Sequence, residues 1–291
     1  MKKEKTTVNN LRAMGRSLLK EAGIDSYAID VDVDVLLMHV LDFDKNTLLT
    51  NLDRFADDAQ AGEFSRLIDA RSNNVPIQYL TGKCEFMSLE FAVDENVLIP
   101  RPDTEILVET VLTQETSGSV EGLEIGVGSG CVSISLEYHG INISMRGVDI
   151  DEAAVQTTVY NWKRIFKGSI LQRDKFFVSN LFENVPRGTF FDFIVSNPPY
   201  IETEEIGRLG SSVKDYEPRI ALDGGADGLE FYRRIVGQAR EYLADEGRIY
   251  FEIGYNQARA VEEILASAGY VDIVVLDDYA GRNRVVMARR A

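Results

Sequence analysis

Apolar residues change their spacing twice along the chain, and the changes predict three regions. From residue 8 to 74 the spacing is helical: Leu11, Met14, Leu18 and Leu19 share a face, and Gly23 ends the segment. The next run is mixed. Ile29, Val31, Val33 and Val35 alternate with Asp30, Asp32 and Asp34, which is strand spacing, but the run continues into Leu36, Leu37, Met38, Val40 and Leu41 without a turn residue. That length favours a helix. Residues 75–100 read as extended, since Pro76 and Gly82 punctuate them and Leu89, Phe91 and Val93 alternate with polar positions. A hairpin joining two domains fits that pattern.

From residue 101 onward, apolar strands at 123–125, 143–148, 190–196, 248–253 and 271–276 alternate with helices, for example at 238–243 and 258–268. A last strand at 284–288 is placed antiparallel at an edge. Strand–helix alternation of this kind predicts an α/β fold with a doubly wound, mostly parallel sheet. The expected organisation is a helical N-terminal domain (1–75), a β-hairpin linker (76–100) and a C-terminal α/β domain (101–291).

Two loops in that last domain carry chemistry. Leu123-Glu124-Ile125 runs into Gly126-Val127-Gly128-Ser129-Gly130, and a helix begins near Cys131. Glycines let backbone approach a ligand closely. The spacing is G-x-G-x-G, whereas the dinucleotide fingerprint requires glycine at the place of Cys131. A carboxylate at Glu124 repels a pyrophosphate but attracts the ammonium of a methionine-derived ligand. Asp149 ends the next strand, where these sheets place a ribose-binding carboxylate. The combination favours S-adenosylmethionine over NAD.

The second loop is Asn197-Pro198-Pro199-Tyr200, which stops the apolar strand at 193–196. Each proline disfavours helix at the residue before it, and neither has an N–H for the ladder. The result is a rigid turn at the carboxyl end of a strand, where open sheets bind ligands. The Asn197 side-chain oxygen and the Pro198 carbonyl form an acceptor pair for the two N–H groups of a planar NH2. Tyr200 is placed to stack on the flat group that carries it. The loop alone fits a carboxamide or an adenine equally well.

Composition narrows the partners. The chain has 291 residues, 45% hydrophobic and 27% charged, with 31 basic and 47 acidic residues and a net charge of −16. Such a surface repels phosphate backbones, so duplex nucleic acid is not expected, and a basic protein suits it better. No apolar run reaches the ~20 residues a membrane helix needs. The basic start, Met1-Lys2-Lys3-Glu4-Lys5, is followed by polar residues instead of a signal core. We expect a cytoplasmic protein. Cys84 and Cys131 form no metal-type pair, and two histidines, His39 and His139, are too few for a His-rich metal site, so no metal is expected. His139 is placed on a helix surface; for His39, on an apolar helical stretch, core or boundary packing is as open as a surface position.

Several segments together resemble the HemK/PrmC family, the peptide chain release factor glutamine methyltransferases. They are Pro76-Ile77-Gln78-Tyr79-Leu80-Thr81-Gly82, Leu98-Ile99-Pro100-Arg101-Pro102-Asp103-Thr104-Glu105, the strand and loop from Asp192 to Asn197-Pro198-Pro199-Tyr200-Ile201, Tyr216-Glu217-Pro218-Arg219-Ile220-Ala221-Leu222, Gly225-Ala226-Asp227-Gly228-Leu229 and Gly281-Arg282-Asn283-Arg284-Val285-Val286. The resemblance spans nearly the whole chain. It implies a class I, Rossmann-like methyltransferase domain that uses S-adenosyl-L-methionine and yields S-adenosyl-L-homocysteine. It also implies a substrate, the side-chain nitrogen N5 of the glutamine in the Gly-Gly-Gln motif of class 1 release factors.

On this basis Asn197, Pro198 and Tyr200 are the expected catalytic residues, with Pro199 joining them in substrate binding. The cofactor is expected at Thr104, Glu124, Gly126, Val127, Gly128, Ser129, Gly130, Asp149, Asn180, Leu181 and Asn197. Glu124 departs from the family's more frequent aspartate, and Asn180-Leu181 from an acidic residue followed by Trp or Leu. Asn180 is expected to contact adenine through its amide. The N-terminal helices either grip the release factor or act as a structural lid. A monomer is expected. Two other functions remain open at this stage, an N6-adenine-type nucleic-acid methyltransferase and a non-catalytic cofactor-binding scaffold.

Overall fold

The computed structural model describes residues 6–116, 118–172 and 174–291, so the basic stretch at 1–5 lies outside the described residues. The chain divides into two compact units, Met1–Gly82 with Gly210–Tyr216, and Lys83–Leu209 with Glu217–Ala291.

In the first unit, α1 (Val8–Glu21), α2 (Ser26–Leu41), α3 (Lys45–Thr50) and α4 (Asp58–Ser72) enclose a core that includes Leu11, Val33, Leu37, Phe64 and Ile68. Thr7, Asp25, Asp44 and Asp57 each cap a following helix with their side-chain oxygens. The ambiguous run is helix α2, and ion pairs explain its alternating aspartates. Asp34 takes a two-pronged bond from Arg12 (2.6 Å each) and Asp30 pairs with Arg16 (2.7 Å), both on α1. Asp32, 6% exposed, faces the other way to Arg71 of α4 (2.7 Å). Residues four apart share a helix face, so Asp30 and Asp34 meet α1 while Asp32 meets α4. His39 lies exposed on this helix, as His139 does on its own.

A short helix, α5 (Ile77–Thr81), follows Pro76, which corrects the extended reading of that stretch. Proline pre-sets φ for a helix start, and Gly82 closes the turn at φ +70°. The hairpin proper is β1 (Lys83–Phe86) and β2 (Leu89–Ala92), which opens the second unit. Its Phe86 and Phe91 meet edge to face, with centroids 6.2 Å apart.

The second unit continues with α6 (Glu105–Gln114), β3 (Val120–Ile125), α7 (Cys131–His139), β4 (Ile143–Asp149), α8 (Glu152–Ile165), β5 (Phe176–Val178) and β6 (Phe191–Ser196). After the short α9 (Ser211–Lys214), which belongs to the first unit, the second unit resumes with α10 (Glu230–Ala239), β7 (Leu243–Glu252), α11 (Ala258–Ser267), β8 (Tyr270–Asp277) and β9 (Asn283–Arg290). The seven-stranded sheet has the order β5-β4-β3-β6-β7-β9-β8; β5 through β7 run parallel, and β9 is antiparallel to both neighbours.

Two expectations change here. The last strand, β9, is interior and β8 is the edge. Arg284, Val285 and Val286 on β9 are buried in succession, whereas β8 leaves alternate residues outside, as an edge strand must. The helix expected at 238–243 is α10 instead, ending at Ala239, because Tyr232, Ile235, Val236 and Ala239 form its buried stripe and Leu243 already begins β7.

Side chains of each central strand alternate between two cores. Leu123, Ile194, Ile249 and Phe251 pack on one face with α10 and α11, while Phe193, Val195 and Tyr250 pack on the other with α6 and α7. The chain leaves β3 outward to β4 and β5, then crosses back to β6. The carboxyl ends of β3 and β6 therefore flank the switch point, where such sheets open a crevice. No helix among the described residues is long and apolar enough to cross a membrane.

Candidate active site

A cavity of about 190 Å³ opens at that switch point. Its walls include Thr104, Glu124, Gly126, Val127, Gly128, Ser129, Asp149, Asn180, Leu181, Asn197, Pro198 and Pro199, so one space gathers most of the residues singled out in the sequence. Gly130 and Tyr200 are the two that do not line it. Gly130, at φ +81°, caps α7, and a Cβ there would press on Ile134 and Thr158 (2.8 Å each). Tyr200 packs instead against the core beside α10, with its hydroxyl 3.4 Å from Glu252 Oε1.

The glycine loop is pinned from three sides. Gly126 and Val127 donate to the Val148 carbonyl (2.8 and 3.1 Å), and the Thr158 hydroxyl donates to the Gly128 carbonyl (3.0 Å). Fully buried Asn161 gives its Nδ2 protons to Ser129 O and Ala92 O (2.9 Å each) and accepts from Ala92 N (2.7 Å). That amide ties the loop to the hairpin. Each such bond left unmade in the interior costs about 1–3 kcal/mol. Nothing in the local pattern around Asn161 announces this role.

Glu124 is 1% exposed, and its Oε2 accepts from the Ser133 hydroxyl and from the Ser133 N–H (2.9 Å), at the first turn of α7. Burial pushes its carboxyl up to about 8, against the pull of the Ser133 bonds, and nearby Asp149 adds to the rise. Asp149 accepts from Gly128 N (3.0 Å) and Asp151 N (3.1 Å), which shape the loop and the start of α8. Burial raises it as well. Two carboxyls that water does not stabilise therefore face one cavity, and a cation or a hydroxyl-rich ligand relieves both.

Asn180 differs from its expected posture. Its Oδ1 accepts from Arg234 (2.9 Å) and its Nδ2 donates to Glu183 (2.7 Å), so the protein already engages both ends of the amide. Arg234, stacked on Phe231 with its guanidinium carbon 5.4 Å from the ring centroid, lines the cavity beside it. Sequence reasoning missed both, because α10 was placed too late in the chain. Leu181 next door holds φ +52°, an uncommon conformation for a leucine.

On the opposite wall, each polar residue of the segment Arg101 to Glu105 has a partner. Arg101 pairs with Glu217, Asp103 with Arg284 (3.0 Å), and Glu105 accepts from Met87 N (2.7 Å). Thr104 Oγ1 accepts from Asn197 Nδ2 (3.2 Å). That bond uses the amide's donor end, so the Asn197 oxygen is the end left to accept from a ligand. The acceptor pair read from the sequence thus lies beside the buried carboxyls, not apart from them.

Comparisons with known proteins agree with this architecture. The PrmC N-terminal domain family matches residues 10–82, and the Methyltransferase small domain family matches residues 101–210. The chain is 41% identical to the release factor glutamine methyltransferase of Clostridium botulinum over 97% of this chain and 99% of that one. With the release factor glutamine methyltransferase of Clostridium acetobutylicum it shares 40% identity over 94% and 95% of the two chains. A solved methyltransferase from Pyrococcus furiosus shares the fold at a TM-score of 0.50 and 18% identity, over 70% of this chain and 89% of that one. At this identity and coverage the chain belongs to the release factor glutamine methyltransferase family.

Proposed function

We propose that the protein transfers a methyl group from S-adenosyl-L-methionine to the N5 nitrogen of the glutamine in the Gly-Gly-Gln motif of a class 1 peptide chain release factor, in the cytoplasm and as a monomer. The observation that carries the reading is the shared cavity: Asn197 presents an acceptor oxygen within the same walls as Glu124 and Asp149. The relatives' names supply the substrate class.

The residues present suit the cofactor. Glu124, buried and short of a cation, would meet the methionine ammonium; Asp149 would meet the ribose hydroxyls; Asn180, Leu181, Phe231 and Arg234 would flank the adenine. When bound, the cofactor supplies an electrophilic methyl carbon on a sulfonium and departs as S-adenosyl-L-homocysteine. The protein's own part is to prepare the nitrogen. An amide nitrogen is a poor nucleophile, since its lone pair is shared with the carbonyl, and a rotation barrier of ~18–20 kcal/mol measures that sharing. Asn197 Oδ1 and the Pro198 carbonyl each accept one N–H. These bonds aim the lone pair and strengthen as positive charge develops on nitrogen. The two prolines hold both acceptors still, so positioning is done before the reaction begins. Methylation makes the surplus N–H acidic, and that proton then passes to solvent water, which needs no dedicated base.

The direct test uses purified release factor and labelled cofactor, with the modified residue mapped by mass spectrometry. Methyl on the Gly-Gly-Gln glutamine is the expected result. Label entering DNA or RNA and not the release factor overturns the reading in favour of an adenine methyltransferase. Asp149→Ala is expected to weaken cofactor binding ~10–100-fold by calorimetry, the scale of losing a charged hydrogen-bond acceptor. An unchanged affinity would remove Asp149 from the ribose site.

A further inference from the structure

The polar wall of the cavity follows the carboxyl edge of the sheet in strand order: Asn197 after β6, Glu124 near the end of β3, Asp149 at the end of β4 and Asn180 just past β5. A cofactor with its ammonium at Glu124 and its ribose at Asp149 therefore carries its base on toward β5. There Asn180 and two side chains of α10, Phe231 and Arg234, line the cavity.

Two partners leave the Asn180 amide no choice of orientation. Arg234 Nη2 donates to its Oδ1 (2.9 Å), and its Nδ2 donates to Glu183 Oε1 (2.7 Å). A guanidinium only donates and a carboxylate only accepts. An amide turned end for end would set donor against donor and acceptor against acceptor. Arg234 is itself held from two sides: its guanidinium carbon lies 5.4 Å from the Phe231 ring centroid, and its Nη1 stands 3.6 Å from Glu230 Oε1. A planar fork stacked on a ring is a donor set in a fixed direction.

We propose that Arg234 is a specificity-determining residue for the cofactor: by occupying the Asn180 oxygen, it turns this wall into a set of donors that reads the ring nitrogens of the purine and ignores its 6-amino group. The inference rests on the S-adenosyl-L-methionine reading above and deepens it. The N–H groups left for a ligand are the second proton of Asn180 Nδ2 and the protons of the Arg234 fork that Asn180 does not take. The cation at Oδ1 draws electron density away, so the remaining lone pair of that oxygen is a weak acceptor. The same pull sharpens the amide NH2 as a donor, because hydrogen bonds in a chain polarise one another. Adenine meets such a wall with acceptors at N1, N3 and N7, whereas its 6-amino group has only protons to give. The ring nitrogens thus suit the wall and the amino group finds no acceptor on it.

Two substitutions would give the amino group its acceptor. Arg234→Met keeps an apolar stem beside Phe231 and releases Asn180 Oδ1 to accept from a ligand. Asn180→Asp bonds Arg234 with one oxygen and offers the other to the base. Both changes lie outside the core. The Arg234 side chain is 37% exposed and Asn180 is half-buried, while α10 is held by its buried stripe of Tyr232, Ile235, Val236 and Ala239. A shift in base preference in these variants therefore reports the wall and not the fold.

Calorimetry on the intact protein reads the preference without any methyl transfer. The two probes are S-adenosyl-L-homocysteine and its 6-deamino analogue, which carries hydrogen in place of the amino group and keeps every ring nitrogen. The wild type is expected to bind both, with dissociation constants within about threefold of each other. In Arg234→Met and in Asn180→Asp the amino compound should bind ~10-fold more tightly than the analogue, the scale of one hydrogen bond to the base. A wild type that prefers the amino compound by more than about threefold overturns the proposal, and so does a ratio that neither variant moves. A wild type that binds neither probe overturns the cofactor reading, and the proposal with it. Firm binding of S-adenosyl-L-homocysteine with the wrong ratio leaves the cofactor reading standing and removes only the role of Arg234, so the two failures are distinct.

Discussion

Replacing Asn197 with alanine is expected to cut methyl transfer by roughly 100-fold or more, the scale of losing one preorganised group aimed at developing charge. Cofactor affinity should stay within about threefold. The asymmetry follows from geometry. Asn197 belongs to the substrate wall, where its Nδ2 is held by Thr104 and its oxygen is the free acceptor. The groups assigned to the methionine and ribose ends, Glu124 and Asp149, stand on β3 and β4 and keep their own partners when Asn197 is removed. Alanine also leaves the fold alone, since Pro198 and Pro199 still end β6 and Ser196 still donates to the Ile125 carbonyl (2.6 Å). Single-turnover rates with saturating cofactor, beside calorimetric cofactor titration, separate the two effects. Near-normal turnover in this variant would remove the acceptor role from the loop, and with it the main reason to assign a nitrogen substrate.

The parts of this molecule that were readable beforehand are those whose signal is local. The glycine loop and the two prolines force backbone geometry whatever surrounds them, and strand alternation in β3, β4 and β6 reports two buried faces at once. What was not readable depends on partners far away in sequence. The aspartates of α2 looked like strand alternation until Arg12, Arg16 and Arg71 gave each a reason to be where it is. The place of β9 between β7 and β8 is set by which strand can bear exposure, and no run of residues states that comparison. Glu252 reads as one polar residue closing an apolar strand. Its setting comes from Tyr200, whose hydroxyl lies 3.4 Å from its Oε1, and from the charge of Arg284 on the neighbouring β9. Asn180 shows the same limit from the other side: the position was legible, but its engagement by Arg234 was not.

Glu124→Gln should move two properties in opposite directions. Cofactor binding is expected to weaken ~10–100-fold, because a buried carboxylate facing a cation contributes about 1.5–3 kcal/mol as a charged hydrogen bond. The unliganded protein is expected to become more stable at pH 8. The sign follows from the direction of the shift. Burial raises the carboxyl from 4.5 to about 8 in the fold, so the ionised form is the disfavoured one there. Wild-type stability therefore falls as the pH rises from about 4.5, and the loss is complete above about 8. Glutamine keeps an oxygen for the Ser133 N–H and never ionises, so it avoids that loss. The gain in Tm, on the order of several degrees at pH 8, should shrink steadily toward pH 4.5 and vanish below it. Thermal melts across that range, with and without S-adenosyl-L-methionine, give both readouts from one preparation. Added cofactor should raise the wild-type Tm far more than the variant's, since only the wild type offers a charge for the ligand to neutralise. A variant that melts lower than wild type at pH 8 would mean that Ser133 and α7 need the ionised carboxylate. Glu124 would then be a helix-capping residue first and a ligand group only second. A higher Tm together with weaker binding would instead mark a site that gives up stability of the empty protein to hold a cation.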